Sequence, residues 1–184
     1  DQFIDRTKGR ESTFFSCGVV AHISFGDPVC KVLRQYLVAA SEEAGATTHD
    51  GGTYVCMEGP AFSTRAESNL YRSWGAQVIG MTNVPEAKLA REAEISYATL
   101  AMSTDYDCWH EGHDDVTVED VIKVVKSNVA LSQSIIKKAI PKIVAHEGPA
   151  PESNALQYAF ISDKTKIPAE TKKSLEPIIG KYFT

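Results

Sequence analysis

Three short β-prone runs, at residues 53–57, 77–82 and 95–102, constrain the fold of this chain more than any other feature. The first two end in turn residues and are followed by segments with helical signals. The third, I-S-Y-A-T-L-A-M, is apolar on both faces, which is typical of strands in a sheet that helices cover on both sides. Strands that alternate with helices in this way predict an α/β fold.

Five helices are predicted around these strands. The sequence T-R-A-E at 64–67 fits a capping box, in which the threonine bonds forward and the glutamate bonds back. Helical spacing, caps and stop residues place the helices at 29–44, 64–74, 85–93, 117–139 and from about 168 onward.

The longest predicted helix, 117–139, carries an apolar stripe. Its members are Val118, Val121, Ile122, Val125 and Val129. Such a stripe predicts the core-facing side of an amphipathic helix. The chain has 184 residues, 43% of them hydrophobic, which suits one globular domain with a core. We therefore expect residues 1–184 to form a single domain.

Charge and hydropathy exclude several classes of function. The net charge is −5 and no basic cluster is present, so no nucleic-acid partner is expected. No apolar run reaches the roughly 18 residues of a membrane span, so no membrane partner is expected. The four cysteines form no C-x-x-C pair, which predicts free thiols in a reducing compartment.

Polar residues follow all three predicted strands. The strand ends read E-G-P-A-F-S, G-M-T-N and S-T-D-Y-D. Ligands of open α/β sheets bind beyond the carboxyl ends of the strands, so the three ends together predict one shared pocket. Each end alone has a simpler interpretation, since Ser63 and Thr64 can serve only as helix caps and the second end can be an ordinary turn.

Asp105 and Asp107 are candidates for acid–base chemistry. In an extended segment, residues two apart point to the same side. Two neighbouring carboxylates repel each other, which favours a proton on one of them and supplies a general acid beside an acceptor. The alternative is a pair of helix-capping or surface aspartates.

The stretch H-E-G-H-D-D at 110–115 is rich in possible metal ligands. Its two histidines are one residue too close for the zinc pattern His-Glu-x-x-His, and a glycine separates them. No second cluster of histidine or cysteine supplies further ligands, so no metal site is predicted. We expect instead a polar loop that could act as a lid.

Four blocks give the sequence a specific resemblance. They are D-Q-F-I-D-R-T at 1–7, E-G-P-A-F-S-T-R-A-E-S at 58–68, G-M-T-N-V-P-E at 80–86 and A-M-S-T-D-Y-D-C-W at 101–109. In these blocks the chain resembles the 5′-methylthioadenosine phosphorylases of the trimeric purine nucleoside phosphorylase family. The resemblance runs from residue 1 to about 143, and 144–184 is taken as a C-terminal extension with the final helix.

The resemblance implies a nucleoside-phosphorylase-like fold, with a mixed twisted sheet flanked by helices. It also implies phosphorolysis of 5′-methylthioadenosine to adenine and 5-methylthioribose-1-phosphate, as in purine and methionine salvage. Inorganic phosphate would be the co-substrate and no other cofactor is expected. The assembly would be a homotrimer, located in the cytoplasm and also in the nucleus.

The same resemblance implies roles for individual residues. Asp105 and Asp107 would be catalytic, and Thr82 would bind phosphate. Substrate contacts are implied for Phe62, Ser63, Met81, Thr104, His22, Val116, Val118, Val121 and Ile122. His22 would reach a neighbouring subunit's active site near the 5′ substituent, and the last four residues would form an apolar wall for the methylthio group.

Two positions separate close relatives within this family. Phosphorylases of 6-oxopurines carry Glu where Ser63 stands and Asn where Asp105 stands. Because adenine offers a 6-amino donor that a carboxylate accepts, Ser63 with Asp105 favours 6-aminopurines. A purine nucleoside phosphorylase of other specificity and a non-catalytic nucleoside-binding fragment are the alternatives.

The chain departs from the family pattern in two respects. Some members carry Asn where Gly80 stands. The glycine-rich phosphate loop and the Arg-His phosphate motif that begin other members are not found here. The chain is therefore expected to be the C-terminal two-thirds of such an enzyme, with the base site and little of the phosphate site.

Overall fold

The computed structural model describes residues 1–110 and 118–183, and for 118–121 it describes the backbone alone. The elements in chain order are β1 (Gln2–Arg6), α1 (Lys31–Glu43), β2 (Thr53–Met57), α2 (Arg65–Ser73), β3 (Val78–Gly80), α3 (Glu86–Glu92), α4 (Val118–Val144), α5 (Ala169–Ser174) and α6 (Glu176–Ile179), followed by a 3₁₀ turn (Gly180–Tyr182). The predicted α/β class is confirmed.

A parallel sheet of three strands, in the order β1-β2-β3, forms the centre of the fold. In its register Ile4 lies beside Val55, which in turn lies beside Ile79. Val55 and Cys56 of the middle strand are fully buried. Parallel strands place their carboxyl ends at one edge of the sheet, so the turns after β2 and β3 lie side by side.

Helix α2 begins as its sequence predicts. The Thr64 side chain accepts a hydrogen bond from the backbone N–H of Glu67 at 3.2 Å. The Glu67 carboxylate in turn accepts from the backbone N–H of Thr64 at 2.8 Å. This capping box satisfies two backbone donors that the first turn of a helix leaves open, and it fixes where α2 starts relative to the end of β2.

The predicted strand at 95–102 is wrong, because the structure assigns no strand there. The Tyr97 carbonyl accepts a hydrogen bond from Cys30 N–H, just before α1, at 2.8 Å. The Tyr97 and Thr99 hydroxyls donate to the Asn83 side chain, at 2.8 and 2.9 Å. A loop amide and a side chain thus hold the segment. Apolar composition favours burial, but it supplies no partner strand.

The predicted core stripe of α4 is also wrong where its side chains are described. Ile122, Val125 and Val129 are 46%, 42% and 49% exposed. Helix α4 packs instead through Ile135 and Ala139, which bury against α1. The reason is length: α4 has 27 residues and α1 has 13, so α1 covers only part of α4.

The C-terminal residues form a second apolar cluster with the segment after β1. Its buried members are Phe15, Val19, Leu156, Ala159, Ile167 and Ile179. The apolar run 155–161 is a series of turns with one antiparallel bridge, Ala21 to Phe160. The final helix, predicted from about 168, is present as the short helices α5 and α6.

Glu94 ties this cluster to the end of α3. Its carboxylate accepts from the Leu156 N–H at 3.0 Å and pairs with Lys181 at 2.5 Å. The Tyr182 hydroxyl donates to the same carboxylate. Burial raises the pKa of Glu94, but the hydrogen bonds from Lys181, Tyr182 and Leu156 outweigh it, so the pKa lies below its usual value.

All four cysteines are free, and Cys30 and Cys56 are buried. This agrees with the predicted free thiols. Among the helices within the described part of the chain, none combines the length and the apolar character that crossing a membrane requires.

We expect Glu94→Gln to destabilise the chain at neutral pH, by roughly 1–3 kcal/mol, because the variant loses charge-assisted hydrogen bonds. A carboxyl whose pKa is lowered by folding contributes stability above its unfolded pKa and loses it as the pH falls through its folded pKa. The difference in urea unfolding free energy from wild type should therefore shrink below about pH 4.5. Glu147→Gln, at an exposed position, is the control. A difference in unfolding free energy that did not change with pH would contradict the lowered pKa of Glu94.

Candidate active site

A cavity of about 880 Å³ opens at the carboxyl edge of the sheet. It is lined by residues from all three sequence segments that were expected to meet. Of the predicted site residues, the cavity brings together Phe62, Ser63, Met81, Thr82, Thr104, Asp105 and Asp107. The shared pocket therefore exists, although the third segment reaches it as irregular chain and not as a strand.

The turn after β2 supplies Phe62 and Ser63. Phe62 is 83% exposed, so its ring is an apolar surface that a bound molecule can cover. Ser63 is half-buried, and its hydroxyl lies 3.6 Å from the Met57 sulfur. Because the neighbouring Thr64 makes the helix cap, Ser63 is left to face the cavity.

The turn after β3 supplies Met81 and Thr82. The Thr82 side chain is exposed, whereas its carbonyl accepts a hydrogen bond from the Cys56 thiol at 2.9 Å. The Tyr54 hydroxyl lies 3.4 Å from the Thr82 N–H. Burial raises the pKa of the Cys56 thiol, so this group acts here as a neutral donor that joins β2 to the turn.

Gly80 leaves room for Tyr54 within the cavity wall. A Cβ atom at position 80 would lie 2.0 Å from the Tyr54 hydroxyl oxygen and 2.9 Å from its ring. The Tyr54 ring packs edge-on to Phe3, with 6.0 Å between centroids. This contact restricts where the ring can move. The glycine at this position is therefore matched to the tyrosine on the adjacent strand.

The third segment supplies the carboxylates. Asp105 accepts a hydrogen bond from the Thr104 hydroxyl at 2.7 Å. Asp107 accepts from the Ser68 hydroxyl at 2.5 Å and from the Cys108 N–H at 2.8 Å. Asp105 is exposed and Asp107 is half-buried. The two carboxylates have separate partners, so one is fixed and the other is open to the cavity.

Arg10 is a structural part of the site that the sequence did not reveal. Its guanidinium donates to the carbonyls of Met81 and Val84, at 2.8 and 2.9 Å. It also donates to the carbonyls of Met57 and Glu58, at 3.4 and 2.8 Å. One side chain thereby joins the turns after β2 and β3. Its partners lie 47 to 74 residues away, and no local pattern marks such a contact.

Asn83 is a second residue that sequence reasoning missed. It is buried, and its backbone has a φ of 75°. Its side-chain oxygen accepts from the hydroxyls of Tyr97 and Thr99, and its N–H donates to Glu86 at 2.9 Å. Asparagine tolerates this left-handed conformation better than most residues do. The signal that could have found it is the N-V-P turn before α3.

Several predicted site residues are not among those that line this cavity. His22 is exposed, and its N–H donates to the Ala159 carbonyl at 2.8 Å, beside the C-terminal cluster. Ile122 is exposed on α4. Val116 lies outside the described residues, and the side chains of Val118 and Val121 lie outside them too.

The loop 110–115 is described only at His110, so the expected lid lies outside the described residues. Within residues 1–110 and 118–183, no group of three or more His, Cys, Asp or Glu side chains is placed to hold a metal ion. The described site thus offers hydroxyls, carboxylates and aromatic faces. Such groups suit a neutral, planar ligand with hydrogen-bonding edges.

The chain belongs to the phosphorylase superfamily, whose family model matches residues 1–141. A parallel sheet with a cavity at the carboxyl ends of its strands agrees with this membership.

Curated relatives extend the similarity over residues 144–184. The S-methyl-5′-thioadenosine phosphorylase of Geobacter sulfurreducens is 64% identical over 183 residues, which are 99% of this chain and 64% of that protein. The enzyme of the same name from Synechocystis sp. is 57% identical and is matched over 57% of its length. The chain thus spans less than two-thirds of these relatives.

Solved structures share the fold. A methylthioadenosine phosphorylase from an Antarctic soil metagenomic library has a TM-score of 0.91 at 45% identity, over 97% of this chain and 63% of that one. A methylthioadenosine phosphorylase of Schistosoma mansoni, solved in complex with adenine, has a TM-score of 0.78 at 30% identity, over 87% of this chain and 64% of that one.

We expect Gly80→Ala to lower the free energy of unfolding by about 1–3 kcal/mol, because the added methyl overlaps the Tyr54 side chain. Gly26→Ala, with no heavy atom within 4 Å of the new Cβ, is the matched control. In a Tyr54→Val background, Gly80→Ala should lower the free energy of unfolding much less. Urea unfolding measures all four variants. An equal cost in both backgrounds would show that Tyr54 is not the cause.

Proposed function

We propose that the protein to which this chain belongs cleaves 5′-methylthioadenosine with phosphate, giving adenine and 5-methylthioribose-1-phosphate. The observation that carries this proposal is the meeting of Ser63 and Asp105 in one cavity at the strand ends. The names of the curated relatives point to the same reaction. Because the chain spans 64% of the Geobacter relative, the activity is proposed for the whole protein.

Asp105 is the proposed general acid. Breaking the glycosidic bond leaves a cation-like ribosyl group and pushes electron density into the purine. A proton donated by Asp105 to N7 of the base neutralises that density as the bond breaks. The Thr104 hydroxyl donates to one oxygen of this carboxyl, which restrains the rotation of the side chain at the cavity wall.

Ser63 and Asp105 are also proposed to select the base. While Asp105 donates its proton to N7, the carbonyl oxygen of the same carboxyl group accepts from the 6-amino group of adenine. A 6-oxopurine would place a second acceptor oxygen against that carbonyl oxygen, and the two would repel each other. Serine is too short to crowd the six-position of the base. The exposed Phe62 ring and Met81 offer apolar surface for the ribose.

Phosphate is the proposed second substrate, and no other cofactor takes part. The exposed Thr82 hydroxyl is the phosphate contact within this chain. Phosphate captures the ribosyl cation, so it must be held by donors that are oriented beforehand. The Arg10 contacts to the Met81 and Val84 carbonyls fix the turn that carries Thr82.

A homotrimer is part of the proposal. His22 is exposed and does not line the cavity of its own chain, which supports a contact with the site of a neighbouring subunit. The wall for the methylthio group is proposed to be Val116, Val118, Val121 and Ile122. The exposure of Ile122, at 46%, leaves that side chain available to a ligand or a neighbour.

The proposal is tested by adenine release from methylthioadenosine, with and without phosphate, with inosine as the comparison. We expect phosphate-dependent release from methylthioadenosine and much slower release of hypoxanthine from inosine. Preference for inosine would favour a phosphorylase of other specificity. Adenine binding without release would favour a chain that binds the nucleoside and does not cleave it.

Asp105→Asn should lower turnover of methylthioadenosine by roughly 10²–10⁴-fold, the usual effect of losing a general acid. Asn keeps the size of the side chain but has no proton of suitable acidity to donate. Asp163→Asn is the control, because the bonds of that carboxylate to Thr165 and its ion pair with Lys166 lie within one exposed turn outside the cavity. Near-full activity of Asp105→Asn in a steady-state assay would contradict the proposal that Asp105 is the general acid.

A further inference from the structure

One face of α2 holds the chain that carries the two aspartates. Ser68 is 1% exposed, and its hydroxyl donates to Asp107 Oδ2 at 2.5 Å. Buried hydroxyls need a partner, and this one has a carboxylate. The contact joins α2 to a segment 39 residues away in sequence.

Arg72 makes a second contact one helical turn later. Its guanidinium carbon lies 3.6 Å from the centroid of the Trp109 ring. Residues four apart share a face of a helix, so Ser68 and Arg72 approach the same segment from the same side. The two contacts hold positions 107 and 109, on either side of Cys108.

Cys108 completes the attachment. Its N–H donates to Asp107 Oδ1 at 2.8 Å, and its thiol donates to the Ser63 carbonyl at 3.5 Å. Both oxygens of Asp107 are therefore bonded, one to the helix and one to the backbone. The segment is also linked to the turn that carries Ser63.

The stretch 103–109 needs such support because it has no regular secondary structure. Loop side chains that act on a ligand require a rigid element to hold them in place. Displacement by about 1 Å at a reacting group is enough to lower a rate by about 10²-fold. Here α2 is the rigid element.

We infer that α2 positions the segment that carries Asp105, with Ser68 as a positioning residue that acts through Asp107 and Arg72 as a second anchor through Trp109. The functional part of this inference rests on the proposed function. The structural part, that these two contacts hold the segment on α2, stands without it.

The structural part is tested in the ligand-free chain by fluorescence. In a Trp74→Phe background, Trp109 is the remaining tryptophan, since the chain has two. Ser68→Ala and Arg72→Gln should each raise the acrylamide quenching constant of Trp109 by about twofold or more. Arg72→Gln removes the guanidinium that covers the indole, and Ser68→Ala removes the hydrogen bond that holds the neighbouring Asp107. Ser73→Ala is the matched control, because its hydroxyl bonds the Leu70 carbonyl within the same helix.

The functional part is tested by adenine affinity in a double-mutant cycle. Ser68→Ala should weaken adenine binding by about tenfold, the usual scale for a hydrogen bond to a charged group. In an Asp107→Asn background the same substitution should have little further effect, because the hydroxyl acts through that carboxylate. A general loss of structure would weaken binding equally in both backgrounds.

The outcomes separate the two claims. Unchanged quenching in Ser68→Ala would overturn the attachment. Raised quenching with equal losses of affinity in both backgrounds would overturn the positioning role of Ser68. No adenine binding by the unsubstituted whole protein would contradict the proposed function, and the quenching measurements would still decide whether the segment is attached to α2.

Discussion

The contact of Arg10 with the two strand ends is the interaction on which the site depends. A parallel sheet leaves backbone carbonyls without partners where its strands stop, and these groups need hydrogen-bond donors. The guanidinium satisfies the carbonyls of Met57 and Glu58 after β2 and those of Met81 and Val84 after β3. It thereby keeps the two turns at a fixed separation, and the cavity lies between them.

The remaining parts of the site are held by side chains and not by the sheet. Asn83 accepts hydrogen bonds from the hydroxyls of Tyr97 and Thr99, and these bonds hold the chain before Asp105 next to the turn after β3. Helix α2 then holds the chain after Asp105 through Ser68. The segment 103–109 is thus supported on both sides although it has no strand or helix of its own. Asp105 stays exposed between these supports, and it is therefore the carboxylate that can act on a ligand.

Local sequence patterns predicted the features that depend on residues close to each other in the sequence. The capping box at Thr64 placed the start of α2, and the bounds of β2 followed from a β-prone run that ends in a turn. The convergence of the ends of β2 and β3 followed from sheet geometry. Each of these features is decided by residues within a few positions of each other or by a general property of parallel strands.

Features that depend on distant partners could not be predicted. The run 95–102 is as apolar as a strand, but a strand also needs a neighbour with free backbone groups. The stripe at Ile122, Val125 and Val129 has helical spacing, but the residues of α4 that are buried against α1, Ile135 and Ala139, lie further along the helix. Arg10 has no pattern around it that indicates four carbonyl partners. These features depend on contacts between residues far apart in the sequence, and a local pattern does not specify such contacts.

A crystal structure of the chain with adenine tests the central claim most directly. The account predicts the purine in the cavity between Ser63 and Asp105, with an Asp105 oxygen within hydrogen-bond distance of N7 or of the 6-amino group. Asp107 should keep its bond to Ser68 in that complex. Adenine bound away from these residues, or bound with its six-position facing solvent, would contradict the account.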